Sequence, residues 1–324
     1  MAVAIVLALA AALAAGLTAA RTPAEAPLKQ FREMAVTFDD LPGVVAPGEG
    51  TAELRVLTRK LLRAIGSERI PAVGFVNERK LAPAGSRDPE RVALLRDWVS
   101  AGLELGNHTY SHLDLHKAPL ERFEEDVVAG EEITKGLLEA GNKRLRYFRH
   151  PFLHTGRSLE TRRSLEEFLA ARGYRIAPVT LDTSDWIFAR AYALAKQRGD
   201  RDDARRVAEA YVPYMLAKID YFERQSVRLF SREIRQILLV HANALNADYF
   251  ADLAARLRSR GYAFCSLDRA LEDPAYGSAD TFTGAGGISW LHRWALTSGG
   301  REALLPDEPA TPRFVMDAAG VSQE

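Results

Sequence analysis

Short hydrophobic runs alternate along this chain with longer stretches in which apolar residues recur every three to four positions. The short runs are bounded by turn residues and predict buried β-strands, whereas the longer stretches predict amphipathic helices. The predicted strands cover residues 33–40, 72–76, 102–106, 146–152, 174–178, 236–241 and 262–266. The predicted helices between them cover residues 53–65, 89–100, 120–140, 159–172, 247–260 and 267–272. Such alternation is typical of a parallel α/β fold.

Two segments interrupt or extend this pattern. Residues 187–235 have helical spacing without a strand, and we predict helices over about residues 189–198 and 202–230. Residues 276–324 form a C-terminal extension, within a tail from Asp273 that is rich in Gly and Pro.

The first 20 residues are almost wholly apolar and carry no charged side chain before Arg21. We therefore expect residues 1–26 to be a secretory signal peptide or an N-terminal anchor, with cleavage after residue 20 or residue 26. This predicts export to the periplasm or the cell exterior. If the segment is retained, it is long enough to hold the protein at a membrane.

Composition narrows the functional classes. The 324 residues include 43 basic and 43 acidic side chains, so the formal net charge is zero. This argues against a protein that binds nucleic acid through an excess of positive charge. The single cysteine, Cys265, excludes an intrachain disulfide framework and a cysteine-rich zinc module.

The first candidate for chemistry is a pair of histidines, His108 and His112. Their spacing of four residues lets both imidazoles point the same way, as two ligands of one divalent metal ion must. Asp39 and Asp40 follow the first predicted strand, where parallel α/β folds place their chemistry, and could supply a third ligand. The alternatives are a hydrogen-bonded histidine pair near a helix start and an aspartate pair that caps the next helix.

Later strand ends carry further polar candidates. Arg149 precedes a proline bend and could hold a nearby carboxylate ionised, although an arginine at a strand end is commonly a surface charge. His241 ends a fully apolar strand, and the acidic turn at residues 181–186 is a plausible pocket wall. A metal, a carboxylate and a histidine on one rim supply what amide or ester hydrolysis needs.

Five stretches of the chain resemble, in order, those of the polysaccharide deacetylases, carbohydrate esterase family 4. They are TFDD, NHTYSH, RHPF, DTSDW and LLVH, within about residues 34–271. The resemblance implies a distorted (β/α) barrel of about seven repeats over residues 30–275, with the helical insertion at 187–235 before the last strands. One departure is that Leu153 and His154 follow Phe152, where the family usually has a glycine.

The resemblance also implies a role for each matching residue. One divalent metal ion, preferably Zn²⁺ with Co²⁺, Mn²⁺ or Ni²⁺ as alternatives, would be held by Asp40, His108 and His112. Asp39 would be the catalytic base, oriented and kept ionised by Arg149, and His241, tuned by Asp185, would be the general acid. Three further residues would contact the substrate: Phe152 through its backbone N–H at the oxyanion, and Trp186 and Leu239 around the acetyl methyl group.

The implied function is a metal-dependent hydrolase that removes N-acetyl groups from amino sugars of a cell-wall or extracellular polysaccharide or oligosaccharide. The alternatives are an O-acetyl esterase acting on a glycan and a non-catalytic glycan-binding barrel. The expected partner is an acetylated glycan, with membrane contact only if the leader is retained. Because the insertion begins and ends beside catalytic stretches, we expect it to cover part of the groove; the alternative is that it packs on the outer wall.

Overall fold

A curled sheet of parallel strands lies at the centre of the structure, a computed structural model that describes residues 32–324. Its strands are β1 (Arg32–Val44), β2 (Val73–Val76), β3 (Glu104–Asn107), β4 (Tyr147–Phe148), β5 (Arg175–Ile176), β6 (Gln236–Asn243) and β7 (Tyr262–Phe264). They are ordered β5-β4-β3-β2-β1-β6, and β7 pairs with β1. The predicted leader at residues 1–26 lies outside the described residues. Within residues 32–324, no helix is both long and hydrophobic enough to cross a membrane.

The two ends of the sheet approach each other. Shortly after β5, Leu181 forms a parallel bridge with Leu238 of β6, the strand at the opposite end of the order. The backbone N–H of Leu239 donates to the carbonyl of Leu181 at 3.2 Å, which adds to this closure. The predicted distorted (β/α) barrel of about seven repeats is therefore confirmed.

Eleven helices occur in the described part of the chain. They are α1 (Thr51–Ser67), α2 (Pro89–Ser100), α3 (Leu120–Ala129), α4 (Glu132–Ala140), α5 (Leu159–Ala171), α6 (Asp185–Gln197), α7 (Arg201–Phe230), α8 (Ala244–Ser259), α9 (Leu267–Leu271), α10 (Trp290–Gly299) and α11 (Arg313–Ala319). The helix predicted over 120–140 is divided into α3 and α4. The buried carboxylate of Glu78 accepts hydrogen bonds from the N–H groups of Ile133 and Thr134, which gives α4 an N-terminus of its own.

The predicted strands at 146–152 and 174–178 are only two residues long in the structure. Proline 151 has no N–H for a ladder and begins a short 3₁₀ turn, Pro151–Leu153, directly after β4. The first strand is longer than predicted, because β1 continues past Asp40 to Val44 after its register with β6 shifts.

Strand β1 is buried on both faces and separates two apolar clusters. Met34, Val36 and Phe38 belong to the large cluster that includes residues of the surrounding helices. Ala35 belongs to a smaller cluster with side chains of β2, β4 and β6, which fills the barrel interior. Because strand side chains alternate, Asp39 continues the interior row that begins with Ala35. The chain thereby delivers a carboxylate into the barrel mouth.

The helical insertion lies beside the barrel. This corresponds to the alternative in which the insertion packs on the outer wall, and not to the expectation that it covers part of the groove. On α7, the Tyr211 hydroxyl donates to Asn246 of α8 at 2.5 Å. Further along the same helix, Glu223 contacts Arg32 at the start of β1 at 3.5 Å and accepts a hydrogen bond from Tyr262 of β7. Helix α7 therefore extends along the outer wall from near the rim to the opposite end of the barrel.

The C-terminal extension crosses part of the rim. The N–H of Trp290 donates to the carbonyl of Val179 at 2.7 Å, and the Ser289 hydroxyl donates to the carbonyl of Thr180 at 2.7 Å. Gly287 lies so close to the backbone of Phe152 that a Cβ placed there would be 1.7 Å from the Phe152 oxygen. The extension thus packs against the loops that follow β4 and β5.

Candidate active site

Asp40, His108 and His112 form one group at the mouth of the barrel, with one donor atom from each lying within 4.8 Å of the others. Asp40 lies in β1 with a φ of 75°, and His112 has a φ of 59°, so both occupy a backbone region that non-glycine residues seldom adopt. Such conformations persist where the surrounding structure enforces them, and they cluster at functional sites. The three residues could hold a divalent metal ion.

The protonation of both histidines suits metal binding. The Nδ1 of His108 lies 2.8 Å from the carbonyl oxygen of Arg149, which can only accept, so the proton is on Nδ1 and the lone pair is on Nε2. This fixing of the ring by a second hydrogen bond is usual for metal-binding histidines. Burial lowers the pKa of His108 well below its usual value, and burial also lowers the pKa of His112. Both imidazoles are therefore neutral near pH 7, the form that binds a metal.

Asp40 is kept ionised by its neighbours. Burial raises its pKa, but the Lys80 ammonium is the strongest of the groups that oppose burial, and the pKa lies below the usual range. The Lys80 Nζ lies 3.1 Å from Asp40 Oδ1 and donates to the Asp40 carbonyl at 3.0 Å. Oδ1 is buried and accepts no hydrogen bond of good geometry, so it remains suited to a metal ligand. No motif or spacing selects Lys80, since a lysine in a turn after a strand is normally a surface charge.

Asp39 faces Arg149 rather than solvent. The Nη1 atom of Arg149 lies 3.3 Å and 3.4 Å from the two carboxylate oxygens, and Asp39 Oδ2 lies 3.7 Å from the Nε2 of His108. Burial raises the pKa of Asp39 to about 6, although Arg149 and His241 both oppose this rise. Asp39 is therefore ionised at neutral pH, yet basic enough to accept a proton.

Arg149 is completely buried, so the interpretation of a surface charge is wrong. Its Nε donates to the carbonyl of Ala177 at 2.7 Å, its Nη2 donates to the Thr37 hydroxyl at 3.0 Å, and its guanidinium lies 4.7 Å from the centre of the Phe75 ring. These contacts fix the guanidinium in one position beside Asp39.

His241 is the register partner of Asp39 on the neighbouring strand. Its Nδ1 lies 2.7 Å from Asp185 Oδ1, its backbone N–H donates to Asp185 Oδ2 at 2.9 Å, and Asn246 also donates to Oδ2 at 2.7 Å. Burial lowers the pKa of His241, but Asp185 more than compensates and raises it to about 9. His241 is therefore a cation at neutral pH and can donate a proton.

The three expected substrate contacts lie around this group. Phe152 has a φ of 57° and a half-exposed side chain, whose ring centre is 4.4 Å from that of His112. Trp186 follows Asp185 at the start of α6 and is 43% exposed, so its indole is open to a ligand. Leu239 is buried and precedes His241 by two residues, which places both side chains on the same face of β6.

A second group of potential ligands, Asp114, His116 and His154, lies near the first. The two imidazoles are stacked, with ring centres 3.8 Å apart and planes 5° apart, and His154 Nδ1 lies 2.7 Å from Asp114. Lone pairs of ring nitrogens lie in the ring planes, so parallel rings cannot direct them at one point. This arrangement therefore packs loops together rather than chelating an ion. His150 is buried beside these loops, and His292 lies 3.0 Å from the Tyr221 hydroxyl.

Comparison with solved structures finds family 4 carbohydrate esterases. One from Streptomyces lividans in complex with acetate is 20% identical over 74% of this chain and 92% of that chain, with a TM-score of 0.44. PdaA from Bacillus subtilis is 16% identical over 74% and 81%, with a TM-score of 0.47. A pseudoenzyme of the same family from Bacillus anthracis is 16% identical over 75% and 66%, with a TM-score of 0.48. Similarities this low say nothing about the activity of this chain.

A comparison with protein families gives a match over part of the chain. Residues 29–168 match the model of the family described as polysaccharide deacetylase. This range includes three of the five motifs and six of the candidate residues, Asp39, Asp40, His108, His112, Arg149 and Phe152. The resemblance predicted from the sequence is confirmed over residues 29–168, which match the polysaccharide deacetylase family.

Proposed function

We propose that this protein is a metal-dependent hydrolase that removes N-acetyl groups from amino sugars of a glycan. One observation carries the proposal: the group formed by Asp40, His108 and His112 lies beside a buried carboxylate that can accept a proton and a histidinium that can donate one. Amide hydrolysis needs all three functions within reach of one carbonyl. The acetylated glycan is the substrate class expected of the family.

The donor set of two imidazoles and one carboxylate fits Zn²⁺, and Co²⁺, Mn²⁺ or Ni²⁺ are compatible alternatives. A divalent ion bound there would supply Lewis-acid polarisation of the acetyl carbonyl. The neutral state of both histidines and the ionised state of Asp40 support this assignment, because no ligand has to lose a proton before binding at neutral pH.

Two proton transfers are assigned to residues of the chain. Asp39, held by Arg149, takes a proton from the attacking water, and its pKa of about 6 matches the role of a base at neutral pH. His241, held by Asp185, gives its proton to the leaving nitrogen and needs the raised pKa to be charged beforehand. The exposed faces of Phe152 and Trp186 are available to the acetylated sugar. We also propose that the protein is exported, as expected from the apolar leader at residues 1–26.

The test is release of acetate by purified protein from three substrates: N-acetyl chitooligosaccharide, peptidoglycan and O-acetylated xylan. We expect release from an N-acetylated substrate, its loss after exhaustive chelation, and its recovery when Zn²⁺ is returned. Asp39→Asn is the matched control, because it keeps the proposed metal ligands and removes the base. Release from xylan alone would support the O-acetyl esterase instead. Binding of glycans by metal-loaded protein without release of acetate would support the non-catalytic barrel.

A further inference from the structure

A cavity of about 380 Å³ lies beside the catalytic residues and is built from parts of the chain outside the matched range. Its walls come from the acidic turn (Asp182 and Ser184), from α7 (Lys218 and Phe222) and from the C-terminal extension, including Glu308. Its volume falls within the range of sites that bind small molecules, roughly 300 to 1,000 Å³. None of the roles described above uses this space.

The cavity is linked to the active site on two sides. Asp182 belongs to the same turn as Asp185 and is close enough to His241 and Arg149 to act on them electrostatically. On the other side, Gly287 of the cavity wall packs directly against the backbone of Phe152. A ligand held in the cavity would therefore continue into the space between Phe152 and the acidic turn.

The polar groups of the cavity suit hydroxyl groups. Lys218 is almost fully buried, and its Nζ donates to Glu308 at 2.6 Å and lies 3.7 Å from Glu324. Carboxylates accept from hydroxyls, and the ammonium group and the Ser184 hydroxyl can donate to them. Phe222 adds an apolar ring to the same wall. A sugar ring offers this combination of polar edges and an apolar face.

The charges in the cavity favour one class of sugar. Three carboxyl groups, on Asp182, Glu308 and Glu324, are opposed by the single ammonium group of Lys218. Burial lowers the pKa of His292, the other basic group of the wall, so its imidazole adds no positive charge at neutral pH. The excess of carboxylates repels a second anion brought into the same cavity.

We propose that this cavity binds the sugar next to the one that is deacetylated, and that it selects a neutral or amino-bearing sugar over a carboxylate-bearing one. The proposal rests on the function proposed above, because it takes a glycan to be the ligand. It makes the insertion and the C-terminal extension determinants of specificity.

Binding is measured by calorimetry on the metal-loaded Asp39→Asn protein, which avoids turnover. The probes are an N-acetyl chitotetraose, its fully deacetylated form, and a tetrasaccharide that alternates N-acetylglucosamine with N-acetylmuramic acid. We expect the first two to bind about tenfold more tightly than the acidic probe, the effect of roughly one unfavourable charge contact. Tighter binding of the acidic probe, or equal binding of all three, would overturn the selection.

The location of the binding site is tested by introducing Glu308→Gln into the Asp39→Asn protein. Asp307→Asn, introduced in the same way, is the matched control. Asp307 is the adjacent residue, is 60% exposed as a side chain, and pairs with Arg224 without lining the cavity. We expect Glu308→Gln to weaken chitotetraose binding about tenfold, the effect of losing one charged hydrogen-bond acceptor, and Asp307→Asn to leave it unchanged. Equal effects of both substitutions would overturn the location. Binding that depends on Glu308 without acetate release by the wild type would instead refute the proposed function and leave the cavity assignment standing.

Discussion

The Asp185→Asn substitution tests whether His241 acts as the general acid. The Asp185 carboxylate accepts two hydrogen bonds from His241, one from Asn246 and a longer one from Asn243, and it supplies the negative charge that stabilises the histidinium. Asparagine has nearly the same shape but no charge. The substitution therefore changes the electrostatics of His241 with little change in packing.

The size of the effect follows from the pKa of His241. The native environment raises it from 6.5 to about 9, and Asp185 contributes more to this rise than Asp40 or Asp39, so without Asp185 the pKa should fall toward its ordinary value of 6.5. At pH 8 the protonated fraction would fall from roughly nine-tenths to roughly one-thirtieth, whereas at pH 6 it would stay above roughly one half. We therefore expect the rate to fall about twentyfold more at pH 8 than at pH 6.

The assay is the pH dependence of kcat/KM for acetate release, with metal content and thermal unfolding measured on the same preparations. In the wild type, activity should decline as pH rises through about 9, where His241 loses its proton, and as pH falls through about 6, where Asp39 gains one. Asp185→Asn should move only the alkaline limb, toward lower pH. A variant that folds, retains metal and has an unshifted alkaline limb would refute the assignment of the general acid.

Asp114→Asn is a matched control for this experiment. Asp114 also contacts a histidine Nδ1, that of His154, at the same distance of 2.7 Å. His154 does not belong to the proposed catalytic group, so the alkaline limb should be the same as in the wild type. A shift equal to that of Asp185→Asn would indicate a general effect of removing a buried charge.

Three further outcomes follow from the structure. Asp40→Asn should lose bound metal, as measured by elemental analysis, whereas Asp39→Asn should retain metal but lose turnover by about 10² to 10⁴ fold; equal metal loss would contradict their separate roles. Removing metal with a chelator should abolish activity and lower the unfolding temperature, and an unchanged unfolding temperature would argue against a bound ion that stabilises the fold. Gly287→Ala should cost about 1 to 3 kcal/mol of unfolding free energy in denaturant titration, because its Cβ would be 1.7 Å from the Phe152 oxygen, whereas Gly286→Ala, with its nearest atom at 3.8 Å, should be close to neutral.

The sequence by itself determined the repeating order of strands and helices and the residues at the strand ends. Buried parallel strands require continuous apolar runs, and a polar residue at the end of such a run, such as Asp39 or His241, is therefore conspicuous. Parallel strands also bring their carboxyl ends to one edge of the sheet, so the sequence alone predicts that the motifs at the strand ends lie close together. The same local signals predicted the two helices of the insertion, α6 and α7.

Tertiary structure alone decided what surrounds these residues. Lys80 lies beside Asp40, Asn246 donates to Asp185, and Gly287 packs against Phe152, and none of these contacts leaves a periodic pattern or a motif. The position of the insertion along the outer wall was likewise undetermined, because both alternatives begin and end at the same residues. Local spacing encodes which face of an element is apolar, whereas contacts between distant segments depend on how those faces pack. The cavity at the rim, formed by three such segments, could therefore be recognised only in the folded chain.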